Sequence, residues 1–185
     1  MSGDGGGDGD EAENDANDPD GGTYTLLVAL ATPATIEVGA LGARRFDPGG
    51  YAYTGSALGA GGFSRVDRHR RTARGDHDVR HWHVDHLLGH PDTRIDRVVR
   101  SVGADVECAV ADRLPAGPVD GFGASDCGCG SHLAAAGEGE SLDEFAARVR
   151  EAHGDAVAET GGSVDVVAGS AAATDGAVSD VSRTR

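Results

Sequence analysis

The chain contains no lysine: all 16 of its basic residues are arginine, set against 31 acidic residues. Aromatic residues are scarce at 4%, with a single tryptophan and a single methionine. No apolar run approaches the ~18–20 residues that a membrane span needs. The first residues carry no basic segment followed by an apolar one, so no export leader is predicted and a cytoplasmic setting is expected. Three cysteines are an odd number. In a chain without a leader they argue against a disulfide framework.

What is abundant is acid, glycine and alanine. The formal net charge is −15 over 185 residues, and it is unevenly placed. Residues 1–21 hold eight acids and no base, residues 22–153 hold 18 acids and 14 arginines, and residues 154–185 hold five acids and two arginines. The middle is therefore much nearer neutrality than the ends. An acidic, lysine-free balance resembles the composition of salt-in halophiles, where carboxylates keep proteins hydrated at molar salt. Such charge acts on solubility and association rather than on fold.

Composition also divides the chain. "MSGDGGGDGDEAENDANDPDGG" has almost nothing to bury and predicts a disordered acidic arm over 1–21. From Gly154 onward the residues are small and polar, which predicts a mostly disordered tail over 154–185, with "SVDVV" as a stray strand. The folded domain is expected over 22–153. "TYTLLVALA" (23–31) reads as a buried strand. "TIEVG" and "ARRFD" flank Gly39–Gly42 and suggest a hairpin. "GYAYTG" (50–55) alternates, so Tyr51 and Tyr53 share one face. "GGFSRVDRHRRTA" reads as a helix with Arg65, Arg68, His69 and Thr72 on one side at i, i+3, i+4 and i+7.

"HWHVDHLL" (81–88) is a short amphipathic segment, and "DRVVRSVG" (96–103) reads as a strand. "DVECAVADRL" predicts a helix, with Asp105 as its N-cap. "GFGASDCGCGSHL" is a glycine-rich loop. "SLDEFAARVREAH" predicts a final helix opened by a Ser141/Glu144 capping box. The sum is a small α/β domain: a mostly antiparallel sheet flanked by helices.

Three groups of residues carry chemistry. The first is the ordered series Gly22-Thr23-Tyr24, Tyr53-Thr54-Gly55, Arg65 and Glu107. The second is a basic window. Residues 65–100 hold nine of the arginines against six acids, and six of the eight histidines fall at 69–90. This is the one basic territory of the chain and fits a phosphate-facing surface. As a strand, 81–85 would put His81, His83 and Asp85 on one face; as a helix it would pair His81 with Asp85. Either way His81 and His83 are candidates to face a site, while His86 and His90 are better read as polar neighbours of a core built on Trp82, Val84, Leu87 and Leu88. The third is Cys108 with Cys127, Cys129 and His132, a donor set suited to zinc. Its Cys-x-Cys spacing is tighter than the usual Cys-x₂-Cys, and small half-buried thiols are the plainer reading.

The ordered series resembles the GIY-YIG nuclease family. More narrowly, "GYAYTGSA", "RVDRH", "HWHVDHLL", "EC" and "GFGASDCGCGSH" in that order resemble the Uri-superfamily endonuclease domain of archaea, over about residues 22–135. The resemblance implies a GIY-YIG-type fold and divalent-metal-dependent hydrolysis of DNA phosphodiester bonds, with one Mg²⁺ or Mn²⁺. It implies that Tyr24 is the base or orients the water, that Tyr53 orders the site, that Arg65 binds the scissile phosphate and that Glu107 holds the metal. His69, one turn after Arg65, would contact phosphate or assist proton transfer. The chain departs from the pattern in having Thr23 and Thr54 inside the two motifs, a longer gap between them that an inserted hairpin at 35–47 would explain, and Ala124 where such domains tend to carry another cysteine. Two other classes stay open: a non-catalytic nucleic-acid-binding module of the same fold, and a Cys/His metal-binding interaction domain.

Overall fold

The structure, a computed structural model, describes residues 21–168. The predicted acidic arm, apart from Gly21, and the tail from residue 169 lie outside the described residues. In chain order the elements are β1 (Gly22–Leu30), β2 (Ala34–Glu37), β3 (Ala43–Phe46), β4 (Gly49–Ser56), α1 (Ser64–Ala73), α2 (His83–Leu88), β5 (Thr93–Val102), α3 (Glu107–Ala111), β6 (Leu133–Ala135), α4 (Leu142–Thr160) and β7 (Ser163–Ala168). Five strands form one sheet in the order β6-β4-β1-β5-β7, and every neighbouring pair is antiparallel. β2 and β3 form a separate hairpin, as the sequence predicts.

β1 is buried along almost its whole length, its two threonines included, because it is the central strand and is covered on both faces. Tyr24, Leu26, Val28 and Leu30 point to one side, where they pack with Tyr51, Tyr53, Phe63, Val66, Val84, Leu87 and Phe122. That side is roofed by α1, α2 and the β2–β3 hairpin. Leu27 points to the other side and joins Ala52, Val99, Val106, Val110, Phe145 and Val149 under α3 and α4. The two-residue period of a strand thus sends alternate residues into two cores.

α4 begins where expected. Ser141 accepts a hydrogen bond from the Glu144 amide, and Glu144 accepts one from the Ser141 amide at 2.9 Å. The predicted disorder from Gly154 is corrected over 154–168. α4 runs on to Thr160, burying Ala156 and Val157, and "SVDVVA" is the edge strand β7, paired with β5 from Val102↔Ser163 to Arg97↔Ala168. One buried alanine and one buried valine hold this last stretch of the helix on the sheet.

Asp105 is not the N-cap of α3. That position is Val106, without a side-chain cap. Instead the Val106 amide donates to Thr23 Oγ1 (2.9 Å), and the Thr23 hydroxyl donates to the Ala104 carbonyl (3.1 Å). The threonine inside the first motif thus pins the start of the helix that carries Glu107. The second motif threonine is also used. Thr54 Oγ1 meets Thr25 Oγ1 at 2.9 Å, Thr25 meets His153 Nε2 at 2.8 Å, and His153 Nδ1 meets Ser101 Oγ at 2.7 Å. This buried polar chain ties three strands to α4.

Candidate active site

The two tyrosine motifs come together through register. Tyr24 on β1 lies opposite Gly55 on β4, and Leu26 lies opposite Tyr53. The Tyr24 ring crosses directly over Gly55: a Cβ there would sit 2.7 Å from Tyr24 Cζ and Oη. Only glycine leaves that space, so the Gly of "YTG" seats the Tyr of "GTY". Tyr24 and Tyr53 then stand edge to face, with centroids 6.4 Å apart.

α1 lies across this pair and delivers His69. Tyr24 Oη is 2.9 Å from His69 Nε2, and both side chains are buried. His69 Nδ1 is 3.2 Å from Asp85 Oδ1 on α2. Asp85 is fully buried, yet it accepts from every side: Arg68 binds it with two N–H groups (3.1 and 3.2 Å), and the amides of His81 and Trp82 reach Oδ2 at 2.9 and 3.1 Å. Burial opposes its ionisation, but the hydrogen bonds from His69, the two amides and Arg68 outweigh that and hold the carboxyl well below the usual carboxylate range. An ionised Asp85 can only accept, so His69 carries its proton on Nδ1 and offers a bare Nε2 to the Tyr24 hydroxyl. Burial lowers the His69 pKa, with Asp85 opposing, and keeps the ring neutral.

Asp85 was not among the residues that the motifs single out. Its signal was local: as the third residue of α2 it reaches back to the amide of Trp82, the residue before the helix, as the acidic residue of a capping box does. Spacing identifies that much, but not the contact with His69.

A cleft of about 170 Å³ opens beside the pair and is lined by Tyr53, Ser56, Arg65, His81, Trp82, His83, Glu107, Gly123, Ser125 and Asp126. Arg65, His81, His83 and Glu107 thus all reach one opening, while His86 and His90 do not line it. Arg65 is positioned by a 2.8 Å hydrogen bond to the Ser56 carbonyl and by the Trp82 ring, 5.0 Å from its guanidinium carbon. Arg68 stacks on the same indole at 3.7 Å. His83 Nδ1 accepts from the Gly123 amide at 3.0 Å. Gly123 has φ +74°, and a Cβ there would come within 2.8 Å of Tyr53 Cε2, so glycine is required for the loop to close over Tyr53. Burial, with Glu107 adding to it and Arg65 opposing, raises the Tyr53 pKa; burial also raises that of Tyr24 well above its ordinary value. Both phenols therefore hold their protons at neutral pH. Tyr24 can release one only by handing it to His69.

Glu107 is the first residue of α3 and faces the cleft. Its Oε1 lies 3.0 Å from His132 Nδ1, a close ion-pair contact that is off the line of a hydrogen bond. Behind it, Cys108, Cys127, Cys129 and His132 bring four donor atoms within 4.8 Å of one another. All three cysteines are free. These four residues form a possible metal site, and its donors are of the kind that could bind zinc. The tight Cys-x-Cys spacing is completed by Cys108 from α3, which arrives through the fold and not through the loop.

Among the described residues, no helix is long and apolar enough to cross a membrane. No curated protein and no solved structure matches the chain. A family model does, over residues 23–155, from the opening strand to the final helix and so across every residue of the cleft and of the cysteine cluster; the chain belongs to that family, described as domain of unknown function DUF123.

Proposed function

We propose that this protein is a divalent-metal-dependent endonuclease of the GIY-YIG type, resembling the Uri-superfamily domain, and that it hydrolyses DNA phosphodiester bonds. The observation that carries the reading is the hydrogen-bonded chain Tyr24–His69–Asp85 lying against a cleft that also holds Tyr53, Arg65 and Glu107. Phosphodiester hydrolysis needs a deprotonated water, charge stabilisation on the phosphorane and help for the leaving oxygen. In this reading Tyr24 takes the proton of the attacking water as its own passes to His69 Nε2. Asp85 then stabilises the imidazolium that forms. The Arg65 guanidinium matches two phosphate oxygens. Tyr53 orders the cleft wall, and His81 and His83 add donors at its rim. Glu107 offers a carboxylate oxygen to one Mg²⁺ or Mn²⁺, which when bound supplies Lewis acidity to the phosphate. Phosphate contacts made by arginine weaken as salt rises, so at molar salt shape and the metal bridge carry more of the affinity.

The test is incubation of the purified chain at molar KCl with nicked, branched and single-stranded DNA, with Mg²⁺ or Mn²⁺. Cleavage that Arg65→Ala and Glu107→Ala abolish is expected. No cleavage of any substrate, or equal cleavage by both variants, refutes the reading. One observation favours a second reading, a nucleic-acid-binding module that does not cut: Tyr24 and His69 are 1% and 0% exposed and stand behind the residues that line the cleft. DNA binding without metal-dependent turnover is the outcome that selects it.

A further inference from the structure

Glu107 and Cys108 are consecutive, yet they serve different neighbourhoods. Glu107 lines the cleft, whereas Cys108 turns to the cysteine cluster. His132 is the residue between them. Its Nδ1 side faces Glu107 Oε1 at 3.0 Å, and its Nε2 side faces Cys127 Sγ at 3.3 Å and Cys108 Sγ at 3.9 Å. Tetrahedral zinc, with Zn–S of about 2.3 Å and Zn–N of about 2.0 Å, separates its ligand atoms by roughly 3.5–3.8 Å. The cluster already stands near that spacing. Its histidine is buried, and its Nδ1 has no aligned hydrogen-bond partner.

We propose that Cys108, Cys127, Cys129 and His132 bind one zinc ion through three sulfurs and His132 Nε2, and that this ion, through His132, sets the position of the Glu107 carboxylate in the cleft. Metal on Nε2 leaves the one ring proton on Nδ1, facing Glu107 Oε1. A carboxylate behind a ligating histidine fixes the tautomer and strengthens the ligand. Zinc that seats the ring with Nδ1–H in line with Glu107 would commit Oε1 and leave Oε2 for the cleft. The zinc ion would be structural, because the protein supplies all four ligands and no position is left open for water. Thiolates form on binding, so two or three protons leave the cysteines as zinc enters. The zinc half of the proposal stands on the cluster alone. The significance of the link to Glu107 rests on the nuclease reading.

The experiment uses the full chain and no nucleic acid. Elemental analysis of the purified protein is expected to give one zinc per chain. Replacement by Co²⁺ is expected to give thiolate charge-transfer and tetrahedral d–d absorption, both lost in Cys129→Ser. Zinc affinity is then measured by chelator competition in Glu107→Gln, which keeps all four ligands. A weakening of about 10–100-fold at unchanged one-to-one stoichiometry is expected. A chain that takes up neither zinc nor cobalt on its thiolates overturns the proposal, and unchanged affinity in Glu107→Gln overturns the link to the cleft. Zinc binding sensitive to Glu107 in a chain that cuts no DNA refutes the nuclease reading and upholds this one.

Discussion

Asp85→Asn is the substitution that most directly probes the buried chain. The carboxylate receives donors on both oxygens: Arg68 Nη2 and His69 Nδ1 at Oδ1, and Arg68 Nη1 with the His81 and Trp82 amides at Oδ2. An asparagine has one accepting oxygen. Placed with its amide toward Oδ1 it opposes two donors; turned the other way it opposes three. At about 1–3 kcal/mol for each buried donor left without a partner, the smaller conflict costs roughly 2–6 kcal/mol. That agrees with the about 3–5 kcal/mol expected when a buried ion pair loses one charge. Urea unfolding at fixed high KCl, followed by circular dichroism, reads the loss. Function reads the same change differently. With an amide toward His69, the ring is driven to carry its proton on Nε2, and Tyr24 loses its acceptor. Cleavage is expected to fall by about 10²–10⁴-fold, in the range for losing a general base or its tautomer. An Asp85→Asn protein within 1 kcal/mol of the parent, cutting at the parent rate, would refute the assignment of Asp85 as the group that orients His69.

Two further predictions follow from the core. His153 is fully buried, and burial pushes its pKa down to about 4 from 6.5. The unfolded chain therefore binds the extra proton first. The contribution of His153 is present above about pH 6.5 and is lost as pH falls towards 4, amounting to about 3 kcal/mol at 1.36 kcal/mol per unit. Urea midpoints measured from pH 7 to pH 4 in parent and His153→Gln should diverge in slope over that window, and parallel slopes would refute the claim. Gly55→Ala inserts a methyl within 2.7 Å of the Tyr24 ring. It is expected to lower stability by about 1–3 kcal/mol and to reduce cleavage by moving Tyr24 off His69, whereas Gly59→Ala, in open space, should do neither.

Much of this was legible in the sequence because it depends on local chemistry. Alternation and apolar runs marked β1, β4 and β5. Ser141 and Glu144 marked the start of α4. Glycines 39 and 42 marked the hairpin, and the arginine-rich helix was visible from its periodicity. The same local reasoning failed where packing decides. Residues 154–168 look too polar to order, but α4 needed only Ala156 and Val157 against the sheet, and β5 offered an unpaired edge for β7. Asp105 looked like a cap, but α3 has no side-chain cap, and a threonine more than 80 residues away holds the Val106 amide instead.

The sequence by itself determined which residue types the protein has for its chemistry: tyrosines at strand positions, arginines and histidines in one window, three thiols and a histidine near two acids. It also determined the unequal charge, since that is a sum over composition. Tertiary structure alone decided the pairings. Strand register set Tyr24 over Gly55, helix crossing brought His69 and Asp85 into one line, and the turn of α3 sent Glu107 to the cleft and Cys108 to the cluster. Contacts between residues far apart in the chain depend on how helices and strands pack, and no spacing along the chain encodes that distance.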